Sequence, residues 1–269
     1  MPLSVSLPDP YRRVEGPGAW GFARPDAAPW AAAVLAAGGT FHAWAGAHSG
    51  RRALVGRGRT WAVPSPAPGS SQAHGWVVRH YRRGGLLARW LHDRYLAMGA
   101  PRPLAELRAS LEASRRGIPT PAVVAGAVHP AAAIYRADLV TEEIQGGVDL
   151  AGVLFGDGGT SVDPLRALAA ASDLVSTLAE AGVRHMDLNA RNVVLQPRGV
   201  GVRAWLVDLD RCRFTAGPSP GAGLAMRRRL ERSLRKLGAQ NGRELREDAW
   251  AALASGPAAS GSAPPEGTR

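Results

Sequence analysis

The chain has 269 residues, is 45% hydrophobic, and carries a formal net charge of +11 at pH 7. Its one cysteine, Cys212, excludes an internal disulfide and fits a reducing compartment. No apolar run reaches the roughly 20 residues of a membrane-spanning helix, the longest candidate lying around Ala27 to Ala37.

The surplus charge is nearly all arginine, since Lys236 is the only lysine. Arginine suits bidentate contact with phosphate and carboxylate, so anionic partners are expected: phosphates, nucleic acid or an acidic membrane surface. The abundance of Ala, Gly and Pro beside arginine also matches GC-rich coding, and the two readings weigh equally for any single surface arginine. The opening MPLSVSLPDPYRR lacks a basic start followed by an apolar run, so no secretory leader is expected. The expected place is the cytoplasmic side.

In chain order, residues 1–25 are polar and rich in Pro and Gly, and are read as an extension with little structure. A short helix is predicted over 27–37. Three apolar runs follow, Arg52 to Val55, Thr60 to Val63 and Trp76 to His80. Gly56, Gly58 and the Pro/Ser/Gly segment 64–75 separate them, which predicts an antiparallel meander. Leu104, Leu107 and Leu111 recur at helical spacing and predict a helix over 103–115, stopped by Pro119 and Pro121. Ala122 to Val128 and Ala133 to Leu139 read as two more strands.

The second half changes character. Asp163 as cap, Pro164 at the first helical position and Gly182 as stop predict a long helix over 163–181. Strands at Val193 to Leu195 and Ala204 to Val207 flank a polar loop. A basic helix is expected from Leu224 to Leu237. The Gly/Pro/Ser/Ala-rich end is expected to be disordered. The resulting division is an extension 1–25, a strand-rich lobe 26–143, a helical lobe 144–250 and a tail 251–269. The fold class is α+β with two lobes.

The chemistry concentrates in His185-Met186-Asp187-Leu188-Asn189-Ala190-Arg191-Asn192 and in Asp208, which follows an apolar run 21 positions after Asp187. Phosphoryl transfer needs a group that orients the attacking hydroxyl and takes its proton. It also needs oxygen ligands for a nucleotide-bound magnesium ion. Asp187, then Asn192 on the same loop, then Asp208 after the next strand can supply these in the order HxDxxxxN…D. Each alone is a common turn residue; the three in this order point to catalysis. His185 is read as a structural histidine that holds the loop.

Six segments together carry a closer likeness: RHYRRGG (79–85), DRYL (93–96), ADLVTE (137–142), HMDLNARNVVL (185–195), LVDLDR (206–211) and RSLRK (232–236). With them the chain resembles the Kdo kinases, the 3-deoxy-D-manno-octulosonic acid kinase family related to the lipopolysaccharide core heptose kinases. The resemblance runs from about Gly56 to Lys236. It implies a two-lobed protein-kinase-like fold and transfer of the ATP γ-phosphoryl group to the Kdo 4-hydroxyl of Kdo-lipid A. It makes Asp187 the catalytic residue, with Asn192 and Asp208 on magnesium. Leu209 stands where the family usually has Phe, and Met226-Arg227 where it usually has Asn-Leu. Arg79 takes the place of the nucleotide-clamping strand lysine of protein kinases, with Glu106 as its acidic partner. Gly56 and Gly58 become a reduced phosphate-covering loop without the full GxGxxG pattern.

The resemblance further implies a protein attached peripherally to the cytoplasmic face of the inner membrane, with ATP and Mg²⁺ as cofactors. The basic stretch Arg82, Arg83, Arg89 and Arg94, interleaved with Trp90 and Tyr95, reads equally as a solvated helix face with aromatic anchors or as a contact for anionic headgroups or the acceptor's phosphates and carboxylates. No nucleic-acid-binding module accompanies the charge, so no nucleic acid is expected. Two alternatives stay open: a kinase for another acceptor (core heptose, small molecule or protein) and a catalytically silent kinase-like binding domain.

Overall fold

A computed structural model describes residues 6–54, 60–67, 75–81, 95–96, 99–157 and 159–254. The chain divides into two compact units, 1–145 with 207–211, and 146–206 with 212–269.

The first unit is strand-rich. Its described strands are β1 (Arg12–Gly16), β2 (Ala19–Ala23), β3 (Arg52–Leu54), β4 (Thr60–Pro64), β5 (Gly75–His80), β6 (Tyr95–Leu96), β7 (Val123–Ala131) and β8 (Ile134–Glu142). They form one sheet in the order β1-β2-β7-β8-β5-β4-β3, with β6 on β8. The expected meander is present as the antiparallel run β3-β4-β5. Helices α1 (Ala28–Ala36) and α2 (Phe41–Ala47) pack against the sheet, and α3 (Arg102–Arg115) packs on β7 and β8. One core gathers Leu35, Phe41, Trp76, Val78 and Val140; a second gathers Phe22, Leu104, Leu107, Tyr135 and Leu139.

The expectation of little structure before residue 25 is overturned by β1 and β2. The Pro17-Gly18 pair that reads as a loop is the turn of a hairpin, with Gly18 at φ +67°. Val14, Phe22 and Ala23 are buried, and β2 pairs with β7 from Trp20↔Val128 to Ala23↔Ala125. At Gly21 a Cβ would lie 2.3 Å from the Gly126 carbonyl oxygen. Backbone cannot yield as a side-chain tip can, so Gly21→Ala is expected to cost about 3 kcal/mol, the upper part of the range for overpacking. A lower urea midpoint at unchanged slope would confirm it.

Helix α2 was missed by periodicity, being only two turns long. Its start was legible in Thr40, whose hydroxyl accepts from the Ala43 amide at 3.0 Å.

The second unit is helix-rich: α4 (Leu150–Phe155), α5 (Pro164–Glu180), α6 (Pro220–Asn241) and α7 (Glu247–Ala254). Strands β9 (Val148–Asp149), β11 (Val193–Arg198) and β12 (Gly201–Leu206) form one small sheet, and β10 (Val183–His185) pairs with β13 (Cys212–Phe214). Helix α5 begins as its sequence announces, the Asp163 carboxylate accepting from the Arg166 amide at 2.9 Å. The basic helix runs longer than expected at both ends. It buries Ala222, Met226, Leu230 and Leu234 at four-residue spacing, while Arg228, Arg232, Arg235 and Lys236 are exposed.

Residues 251–254, expected to belong to the tail, are helical instead, because α7 continues to Ala254. Ala249 and Leu253 are buried, and Arg235 stacks on Trp250 at 4.4 Å. The Gly56 and Gly58 turn, the basic stretch 82–94 and the chain from 255 onward lie outside the described residues.

Candidate active site

Two groups of the expected residues come together, one in each unit. In the first unit, β5 presents Arg79 on the face of the sheet that α3 covers. Its guanidinium forks. Nη2 donates to Glu106 Oε1 at 2.5 Å and Nη1 to Asp208 Oδ1 at 2.8 Å. Glu106 is 3% exposed, on a helix whose Leu104 and Leu107 are wholly buried. The expected Arg79–Glu106 pair is thus present, and Asp208 shares the arginine. A fork of this kind holds two carboxylates at fixed geometry, which lysine's point charge does not.

Tyr81, Arg102 and Asp210, to which sequence reasoning gave no role, complete the group. The Tyr81 hydroxyl donates to Glu106 Oε2 at 2.5 Å, and its ring lies 5.0 Å from the Arg79 guanidinium carbon. Arg102 Nη2 donates to Asp210 Oδ2, and its Nη1 donates to the Tyr95 hydroxyl at 2.9 Å. The signals were spacings. Tyr81 follows Arg79 by two, the period of one strand face, and Arg102 precedes Glu106 by four, the period of one helix face.

Burial governs the titration of this cluster. It pushes the Glu106 carboxyl up, opposed by Arg79 and by the Tyr81 hydroxyl, both donating to it. Burial also drives the Tyr81 phenol well above its ordinary value, with Glu106 adding to the rise. On Arg79 burial acts downward, but Glu106 and Asp208 outweigh it and the guanidinium stays firmly charged. Asp210 is raised by burial and by the neighbouring Asp208.

Asp208 itself has φ +65°, in the left-handed region where few residues other than Gly sit. Asp is among the side chains that tolerate it. Leu209, 2% exposed, follows at once and opens a 3₁₀ turn, Leu209–Arg211, that packs on α3.

In the second unit the loop between β10 and β11 carries Asp187 and Asn192. Asp187 is exposed and Asn192 is 8% exposed. The backbone of Asp187 is fixed from both sides. Its N–H donates to His185 Nδ1 at 3.1 Å, while its carbonyl accepts from Asn189 Nδ2 at 2.9 Å and Asn192 Nδ2 at 3.2 Å. His185, 1% exposed, thus holds the loop as expected. Farther along, the Ala190 amide donates to Ser233 Oγ of α6 at 3.2 Å. The loop is braced through its backbone, so the Asp187 carboxylate is spared from holding it.

A half-buried arginine–carboxylate fork in the first unit and an open carboxylate on a fixed loop in the second each suit the handling of phosphates and hydroxyls, the class of a phosphotransferase. Comparison with known proteins gives that class a family. Residues 42–255 match the lipopolysaccharide kinase (Kdo/WaaP) family. The 3-deoxy-D-manno-octulosonic acid kinase of Xanthomonas campestris pv. campestris strain B100 is 36% identical over 199 residues, 72% of this chain and 71% of its own. The protein of the same name from Photobacterium damsela subsp. piscicida is 32% identical over 200 residues, 72% of this chain and 76% of its own. Among solved structures, WaaP in complex with acyl carrier protein aligns with 91% of this chain and 90% of its own, at 20% identity and a TM-score of 0.48. The chain belongs to the lipopolysaccharide kinase (Kdo/WaaP) family. It is a kinase, using ATP as its phosphoryl donor.

Proposed function

We propose that this kinase transfers the γ-phosphoryl group of ATP to the 4-hydroxyl of the Kdo sugar on Kdo-lipid A, a step of lipopolysaccharide core assembly. The observation that carries the reading is the Arg79 bridge between Glu106 and Asp208, in a chain whose relatives bear the name of Kdo kinases. Asp187 orients the acceptor hydroxyl and takes its proton; its exposed carboxylate on a fixed backbone supports that role. Arg79, held by Glu106, steadies the nucleotide phosphates. Gly56 and Gly58, within the matched residues 42–255, are assigned the role of a phosphate-binding turn by their place in the sequence.

Asp208 in the first unit and Asn192 in the second are the residues that would offer oxygens to Mg²⁺. Their oxygens are the hard donors that ion prefers, and with Asn192 Nδ2 engaged by the Asp187 carbonyl, Oδ1 is its atom for a cation. Among the described residues no group of three or more His, Cys, Asp or Glu is placed to hold a metal. Nucleotide sites commonly bind magnesium through one or two carboxylates completed by phosphate oxygens. When bound, the ion neutralises charge on the transferring phosphoryl group.

The acceptor is anionic and embedded in a bilayer. The exposed arginines of α6 support peripheral contact with the cytoplasmic face of the inner membrane. No described helix is long and apolar enough to cross a membrane.

The test is phosphoryl transfer from labelled ATP by the full chain, with three acceptors: Kdo-lipid A, the same lipid without Kdo, and a heptose-extended core. Magnesium-dependent transfer to Kdo-lipid A, absent with the Kdo-less lipid, is expected. Transfer to the heptose acceptor with none to Kdo-lipid A overturns the sugar assignment and leaves the kinase intact.

A further inference from the structure

Asp208 and Asp210 sit two positions apart on one tight turn, so their charges repel at short range. Each has its own arginine. Arg79 reaches Asp208 and Arg102 reaches Asp210. The two carboxylates differ in exposure: the Asp208 side chain is 42% exposed and that of Asp210 only 6%. The open one is suited to work on a ligand, the buried one to anchor.

Both arginines answer to α3. Arg102 is the first residue of that helix, and Glu106, one turn later, receives Arg79. The Arg102 backbone amide donates to the Tyr135 hydroxyl at 3.1 Å, which fixes the helix start against β8. The Arg102 guanidinium lies 4.8 Å from the Tyr95 ring centre and 5.5 Å from that of Tyr81. Tyr81 therefore contacts both guanidinium groups and also donates to Glu106. One helix and one ring thus set the position of two arginines, and the arginines set the turn.

We infer that Arg102 and Asp210 are positioning residues for the reaction: their half-buried ion pair ties the Asp208-Leu209-Asp210 turn to the start of α3 and so holds Asp208, in its left-handed conformation, at the place where it meets metal-bound nucleotide. The inference rests on the role proposed above for Asp208. Arg102 and Asp210 act through Asp208, as groups behind a metal ligand commonly do, where substitution costs about 10- to 100-fold in metal affinity.

The experiment compares Arg102→Gln, Asp210→Asn, the double variant and Asp208→Asn. Three quantities are read: the magnesium concentration for half-maximal ATP turnover, the magnesium-dependent part of ADP binding by calorimetry, and amide exchange at 207–211 without nucleotide. Each single variant of the pair is expected to raise the half-maximal magnesium concentration about tenfold, weaken magnesium-dependent ADP binding in step, and speed exchange at the turn. The double variant is expected to be no worse than the poorer single one, because a shared interaction is lost only once.

A fall in melting temperature with unchanged magnesium dependence makes the pair merely structural and overturns the inference. So do additive effects in the double variant. Asp208→Asn separates the two levels of the argument. If it leaves magnesium dependence unchanged, the role of Asp208 fails and this inference with it. If it shifts magnesium dependence while the pair does not, only this inference fails.

Discussion

Asp187→Asn is expected to lower kcat for acceptor phosphorylation by about 10²- to 10⁴-fold, the usual contribution of a positioned general base, with KM for ATP little changed. The substitution is nearly isosteric. The hydrogen bonds that brace the loop use the Asp187 N–H and carbonyl, which the variant keeps. His185, Asn189 and Asn192 therefore continue to fix the backbone, and the loss falls on the carboxylate's chemistry. Steady-state kinetics beside circular dichroism measures it. Unchanged spectra with roughly a tenth or more of the activity retained would remove Asp187 from the role of base.

Glu106→Ala is expected to lower both stability and activity. Removing one member of a buried ion pair costs about 3–5 kcal/mol, because the partner is left as an uncompensated charge. Arg79 would keep Asp208, so the expected loss lies at the lower end, about 3 kcal/mol. The Tyr81 hydroxyl would also lose its acceptor. Arg79, held from one side only, would swing toward Asp208 and compete with the cation there, so the ATP and magnesium requirements should both rise. Glu106→Gln keeps an acceptor for Tyr81 and should cost less stability while losing the charge. Chemical denaturation with turnover over a magnesium series separates the two effects. Equal stability of Glu106→Ala and the unaltered protein would show that the pair contributes nothing to the fold.

The residues named from sequence divide by how local their signals are. The Asp187 and Asn192 loop was legible because HxDxxxxN is a short pattern ended by a strand, and the three bonds that fix the Asp187 backbone span at most five residues. Helix α5 was legible for the same reason, its cap and stop being written beside it. Arg79 with Glu106 was reached only through resemblance. Nothing local distinguishes Arg79 from the other arginines.

By itself, then, the sequence determined the strand-rich and helix-rich halves and the main periodic helices, and it marked the Asp187 loop and Asp208 as the candidate site. These depend on periodicity, caps and spacings that act within a few residues. Tertiary structure alone decided that the Pro/Gly-rich start forms a hairpin on β7, that Tyr81 joins Arg79 and Glu106, and that Arg102 meets Asp210 across 108 positions. Such pairings follow from strand register and from the seating of α3 on the sheet. A periodic pattern tells which face a side chain takes; which charge waits on that face is settled only when distant segments pack.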